Sequence, residues 1–101
     1  MAVSVRCLDG PGSDAARQKH LQSHLDYVDS IIDEILVAGP ILDEAGEKIG
    51  SLYIFATDDI NRARALLGAD PYFRAGFWDS VRWHPFNPVA GTWVGGAAWK
   101  D

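Results

Sequence analysis

The chain has 101 residues and carries 14 Asp and Glu against 9 Lys and Arg, a formal net charge of −5. That acidic balance argues against a nucleic-acid binder, whose phosphate contacts need a basic surface, and equally against docking on an anionic membrane. The length fits a single domain, and no run of about 18 apolar residues offers a membrane-spanning helix.

A chain of this size buries only about 60–70% of its unfolded surface, so its stability is modest and association is favourable. Four Trp, three Tyr and four Phe are a large aromatic load for so small a core. Some of these rings are expected at a subunit interface or in a ligand pocket. The N-terminus lacks the basic segment and apolar core of a signal peptide. Cys7, the single cysteine, cannot form an intrachain disulfide, which suits a reducing compartment. The expectation is a soluble, cytoplasmic protein with Cys7 as an inert buried thiol.

Ala2 to Leu8 alternates Val3, Val5 and Cys7 with Ser4 and Arg6, the pattern of a strand with one buried face. Asp9-Gly-Pro-Gly12 breaks it. Ser13 is the expected N-cap of a first helix running to about Ile35, with Asp14 in its positive first turn. Leu21, Leu25, Val28, Ile32 and Ile35 form its apolar stripe. A second line, Arg17, His20, His24, Tyr27 and Ile31, runs beside it.

Leu36 to Leu42 reads as a second strand, bent at Gly39-Pro40. Asp43 to Lys48 is a polar turn. Gly50 to Ala56 is apolar at nearly every position, so both faces of this strand need cover. Asp58 is the expected cap of a second helix, Asp59 to about Leu67, which Gly68 ends. Asp70-Pro71-Tyr72-Phe73 opens a short turn or helical segment. Phe77 to Phe86 is the last long strand. Residues 1–88 form the domain; 89–101, with Trp93 and Trp99, form a tail expected to dock on its own or a partner subunit.

The order βαββαβ specifies a ferredoxin-like α+β domain: a four-stranded antiparallel sheet with two helices on one face. The other face would stay bare, so a second copy laying its sheet face to face is expected, giving a homodimer or a higher homo-oligomer.

Arg17-x-x-His20-Leu21, Ala38-Gly39-Pro40, Gly50-Ser51-Leu52, and Asp70-Pro71-Tyr72-Phe73 with Ala75-Gly76 occur in an order and at separations that resemble the YCII-related family of the dimeric α+β barrel superfamily. The resemblance covers roughly residues 2–86. It implies a dimeric α+β barrel with a His–Asp pair in a cleft, carried over to His20 and Asp70. One branch of that family works as a dehydrochlorinase on chlorinated aromatics.

His20 is thus the expected proton-transfer residue, because imidazole titrates near neutrality, and Asp70 would orient it. Asp before Pro is also a common turn residue whose carboxylate binds nearby backbone amides. Arg17 could hold an anionic substrate through its planar fork, or form an ion pair with Asp14 or another surface acid. His24 shares that helix face, as an interfacial residue or a partner of the site. His20 and His24, at i and i+4, could chelate a metal, but no zinc-protease acid lies between them, and no metal or organic cofactor is expected. Gly39 and Pro40 shape backbone beside the pocket, Ser51 can donate to a ligand oxygen, and Tyr27, Tyr53, Tyr72, Phe73 and Trp83 can line an aromatic slot or simply pack in the core.

The preferred function is a cofactor-independent acid/base enzyme of lyase, dehydrochlorinase or isomerase type. Its expected ligand is a small oxygenated molecule of the kind derived from an aromatic ring. The alternative is a non-catalytic small-molecule-binding or accessory domain.

Overall fold

A computed structural model describes residues 1–100 of the chain. Eight or nine residues make each strand of the main sheet: β1 (Ala2–Asp9), β2 (Ile35–Leu42), β3 (Lys48–Phe55) and β4 (Trp78–Phe86). They assemble in the order β2-β3-β1-β4, every neighbouring pair antiparallel. Helices α1 (Ser13–Ser30), α2 (Ile60–Gly68) and α3 (Pro71–Ala75) complete a ferredoxin-like α+β domain.

The alternation of β1 sets the core. Val3, Val5 and Cys7 are fully buried, and Tyr53 and Phe55 of β3 and Ala63, Leu66 and Leu67 of α2 are buried with them. Trp78, Val81 and Trp83 close the cluster from β4. β1 and β3 approach so closely that a Cβ on Gly50 would lie 2.2 Å from the carbonyl oxygen of Cys7. Only glycine fits there.

Four local expectations change. Helix α1 is entered through Gly12, whose φ of 79° turns the chain in the left-handed region, so Ser13 is already helical and caps nothing. The helix stops at Ser30, because Ile31 leaves helical geometry and Ile32–Glu34 form a 3-10 turn. Ile35 then starts β2 opposite Phe55, where pairing with the sheet outweighs continuing the helix. The cap of α2 is Asp59, which accepts from the Asn61 N–H at 2.9 Å, one residue after the expected Asp58. The leucine stripe of α1 is not its packing face: Leu21 and Leu25 are 43% and 48% exposed. The helix instead packs along α3 and turns the Arg17, His24, Tyr27 and Ile31 line inward.

After β4 a two-stranded hairpin, β5 (Ala90–Gly91) and β6 (Gly96–Ala97), folds around Thr92–Val94. Its Trp93 and Val94, with Pro88 just before it, line a cavity of about 330 Å³ with Leu36, Val37, Ile54 and Phe86 of the sheet. Trp93 itself remains 80% exposed. No helix among the described residues is long and apolar enough to cross a membrane.

Candidate active site

The odd-numbered positions of β1 run Val3, Val5, Cys7 and on to Asp9, so the face that makes the core ends in a carboxylate. Arg17, one turn into α1 and only 7% exposed, meets it. Its Nε and Nη2 donate to Asp9 Oδ2 and Oδ1, both at 2.9 Å. Nη2 also donates to the Gly50 carbonyl at 2.9 Å and to Ser51 Oγ at 3.0 Å. Burial by itself would lower the Arg17 pKa, but the bonds and charge of Asp9 outweigh it and hold the guanidinium above its ordinary value. Arg17 does form an ion pair, but with the buried Asp9 rather than with Asp14 or a surface acid, and the pair ties β1, α1 and β3 together.

Asp70 is 1% exposed and caps α3, with Pro71 in the first helical turn. Its carboxylate accepts three bonds: from the Tyr72 N–H at 2.9 Å, from the Tyr53 hydroxyl at 2.8 Å, and from His24 Nδ1 at 2.8 Å. Burial first, and then the Asp70 charge, push the Tyr53 phenol far above its ordinary value, so Tyr53 remains a donor. A carboxylate can only accept, so Nδ1 of His24 carries the hydrogen, and in the neutral ring the lone pair is on Nε2. The His24 ring also stacks on Tyr72. The Tyr72 hydroxyl donates to the Arg17 carbonyl at 3.1 Å.

The partner of Asp70 is therefore His24, which corrects the expectation of His20. On a helix wheel of about 100° per residue, His24 lies about 20° from Arg17 and His20 about 60° away. The buried side of α1 is the one Arg17 anchors, so the later histidine meets the carboxylate. His20 is half-buried, and its ring makes no hydrogen bond among the described residues.

A cavity of about 260 Å³ opens between α1 and the β2–β3 edge. Arg17, His24, Gly39, Pro40, Ser51 and Tyr72 all line it; His20 does not, and Asp70 stands behind His24. Leu21, Leu25, Val28 and Ala38 give it apolar walls, which is why those leucines are spared from the core. Tyr53, one of the rings that could line an aromatic slot, also lines it, as does Lys48, which the sequence did not single out. Tyr53 had a legible signal, a phenol on the alternating inner face of β3 whose hydroxyl must find a partner when buried. Asp9 had one too, in the continuation of the odd-numbered series. Lys48 had none.

The model of the YCII-related domain family matches residues 1–87. Among solved structures, the 5-chloro-2-hydroxyhydroquinone dehydrochlorinase of Burkholderia phenoliruptrix, in complex with 2,5-dihydroxybenzoquinone, superposes with a TM-score of 0.77 at 23% identity, over 91% of this chain and 97% of that one. A protein from Agrobacterium tumefaciens follows at 0.53 and 16%, over 88% and 94%. An uncharacterized NIPSNAP domain protein from Burkholderia xenovorans matches at 0.50 and 19%, over 89% and 96%. At these identities the likeness is one of fold. No curated protein sequence matches the chain.

Proposed function

The chain belongs to the YCII-related domain family, and from that premise we propose that it is an acid/base enzyme in which His24 transfers a proton and Asp70 orients it. The observation that carries this reading is the 2.8 Å bond from His24 Nδ1 to Asp70 Oδ1 at the wall of the cavity. Asp70 fixes the tautomer and compensates the charge of the imidazolium when it forms. His24 Nε2 takes a proton from an oxygenated ring held against Tyr72 and the apolar wall. The electron pair left behind expels a leaving group from a neighbouring carbon, or the proton returns at another atom. These are elimination and isomerisation respectively, and proton transfer of this kind needs no organic cofactor.

Dehydrochlorination, the activity of the Burkholderia phenoliruptrix protein, is an elimination of this class. In this reading the protein is cytoplasmic, and a second copy lies on the open face of the sheet, where Leu52 and Phe86 are exposed.

The test is turnover of 5-chloro-2-hydroxyhydroquinone and a panel of hydroxylated aromatics, read as chloride release and product formation. His24→Asn lowers kcat by about 10²–10⁴, the usual worth of a positioned base; His20→Ala stays within a few-fold of wild type. Undiminished turnover in His24→Asn overturns the proposal. Ligand binding with no product from any compound would leave the binding-domain alternative standing in its place.

A further inference from the structure

Charge divides unevenly over this molecule. The chain carries a net −5, yet no Asp or Glu lines the 260 Å³ cavity, whose charged lining residues are Arg17 and Lys48. Most of the Arg17 fork is engaged by Asp9, Gly50 and Ser51, through Nε and Nη2. Its Nη1 makes no hydrogen bond among the described residues. Lys48, the first residue of β3, opposite Leu42, is exposed, and its ammonium makes no hydrogen bond or ion pair among them. It also lines an adjoining cavity of about 230 Å³, together with Arg17, Leu21 and Tyr72. Lys48 thus stands where the two spaces meet, at the mouth of the site.

We infer that Lys48 determines specificity, selecting organic anions of aromatic-ring size for the cavity, with Arg17 Nη1 as the second donor. The inference rests on the reading of this cavity as the ligand site and adds the charge class of its ligand. The apolar walls and the Tyr72 ring suit a planar body, while an ionised oxygen needs the two cations. The surrounding charge opposes any anion at long range, and Asp14 lines the adjoining cavity. Glu47 precedes Lys48, and Asp43 is occupied by the Ala45 and Glu47 N–H groups of the turn. A single unpaired ammonium at the entrance is what makes an anion acceptable there.

The probes are benzoate and benzamide, which share a shape and differ in charge, titrated calorimetrically into the wild-type protein and into Lys48→Gln and Lys48→Arg. Wild type binds benzoate several-fold more tightly than benzamide. Lys48→Gln weakens benzoate about fivefold, the upper range for an exposed charge pair, and leaves benzamide within twofold. Lys48→Arg restores the preference, and raising the salt concentration to about 1 M erodes it. Lys48 is exposed, so these variants fold, which circular dichroism checks.

Equal affinities in wild type, no binding of either probe, or a preference unchanged by Lys48→Gln each overturn the inference. Repeating the titration in His24→Asn separates it from the proposed reaction. An intact, Lys48-dependent preference alongside turnover that ignores His24 strikes only the reaction. His24-dependent turnover alongside a preference that ignores Lys48 strikes only the inference.

Discussion

The imidazole of His24 lies flat on the phenol of Tyr72, with ring centroids 3.7 Å apart and planes within 3° of parallel. The stack restrains the ring's tilt, while the bond to Asp70 sets its rotation. The same carboxylate that orients His24 also caps the helix carrying Tyr72. One residue therefore positions both members of the stack.

Replacing Tyr72 separates these contributions. Tyr72→Phe keeps the stacked ring and loses only the hydroxyl bond to the Arg17 carbonyl. Its expected cost is about 1 kcal/mol of stability, with turnover close to wild type. Tyr72→Leu fills part of the space but removes the stack, so kcat falls more than KM changes. Urea unfolding together with steady-state kinetics on both variants checks this; a uniform rise in KM alone would assign Tyr72 to ligand binding instead.

Asp70→Asn is nearly isosteric but has a donor where a carboxylate oxygen stood. The oxygen that faces His24 Nδ1 also accepts from the Tyr72 N–H, so the amide oxygen keeps that place and the amide nitrogen turns to the Tyr53 hydroxyl, which must then accept. The ring keeps its orientation but loses the negative charge that compensates the imidazolium. We expect a fall in turnover of the same order as for His24→Asn, about 10²–10⁴, with binding affinity changed far less. The two substitutions should not add when combined, because they disable one unit. Additive losses in the double variant would show that the residues act separately.

The fold was legible because its signals are periodic and local. The alternation of Val3, Val5 and Cys7 gives β1 its inner face, and Gly68 and Pro71 punctuate α2 and α3. Most of the pocket wall was legible too, since Arg17, His24, Gly39, Pro40, Ser51 and Tyr72 all reach the cavity. The pairing of Asp70 was not. His20 and His24 both lie on the same broad side of the helix, and the choice between them depends on where α3 crosses α1, a tertiary fact. The leucine stripe misled for a related reason: apolar periodicity marks a face that avoids water, and a ligand cavity satisfies that as well as a core does.

The Arg17–Asp9 pair borders this site, with side-chain exposures of 8% and 6%. Removing one member of a buried pair leaves the other uncompensated, so Arg17→Leu should cost about 3–5 kcal/mol. Arg17→Leu combined with Asp9→Leu removes both charges and should recover a large part of that loss. The Gly50 carbonyl and Ser51 hydroxyl still lose a donor, so recovery is incomplete. Urea unfolding of both single variants and the double variant gives the coupling directly; a double variant no more stable than Arg17→Leu would mean that Asp9 is compensated from elsewhere.

Alkaline conditions probe the core from another side. Burial, with the charges of Asp70 and Asp9 adding to it against a partial offset from Arg17, pushes the Cys7 thiol from 9.0 to about 12. The unfolded chain therefore loses this proton near pH 9, while the folded protein keeps it until about pH 12. Between these limits the native state binds more protons, and stability falls as pH rises, by about 1.4 kcal/mol per pH unit for one group. The contribution is fully present below pH 9 and is lost as pH climbs toward 12. Tyr53, raised from 10.0 by burial and by Asp70, adds a second descent that begins one unit higher. Urea unfolding at pH 8, 9, 10 and 11 should show stability flat to about pH 9 and then falling. In Cys7→Ala the fall should start near pH 10, whatever the variant's absolute stability. Identical slopes between pH 9 and 10 in the two proteins would remove the thiol from this account and leave the tyrosines to carry the alkaline loss.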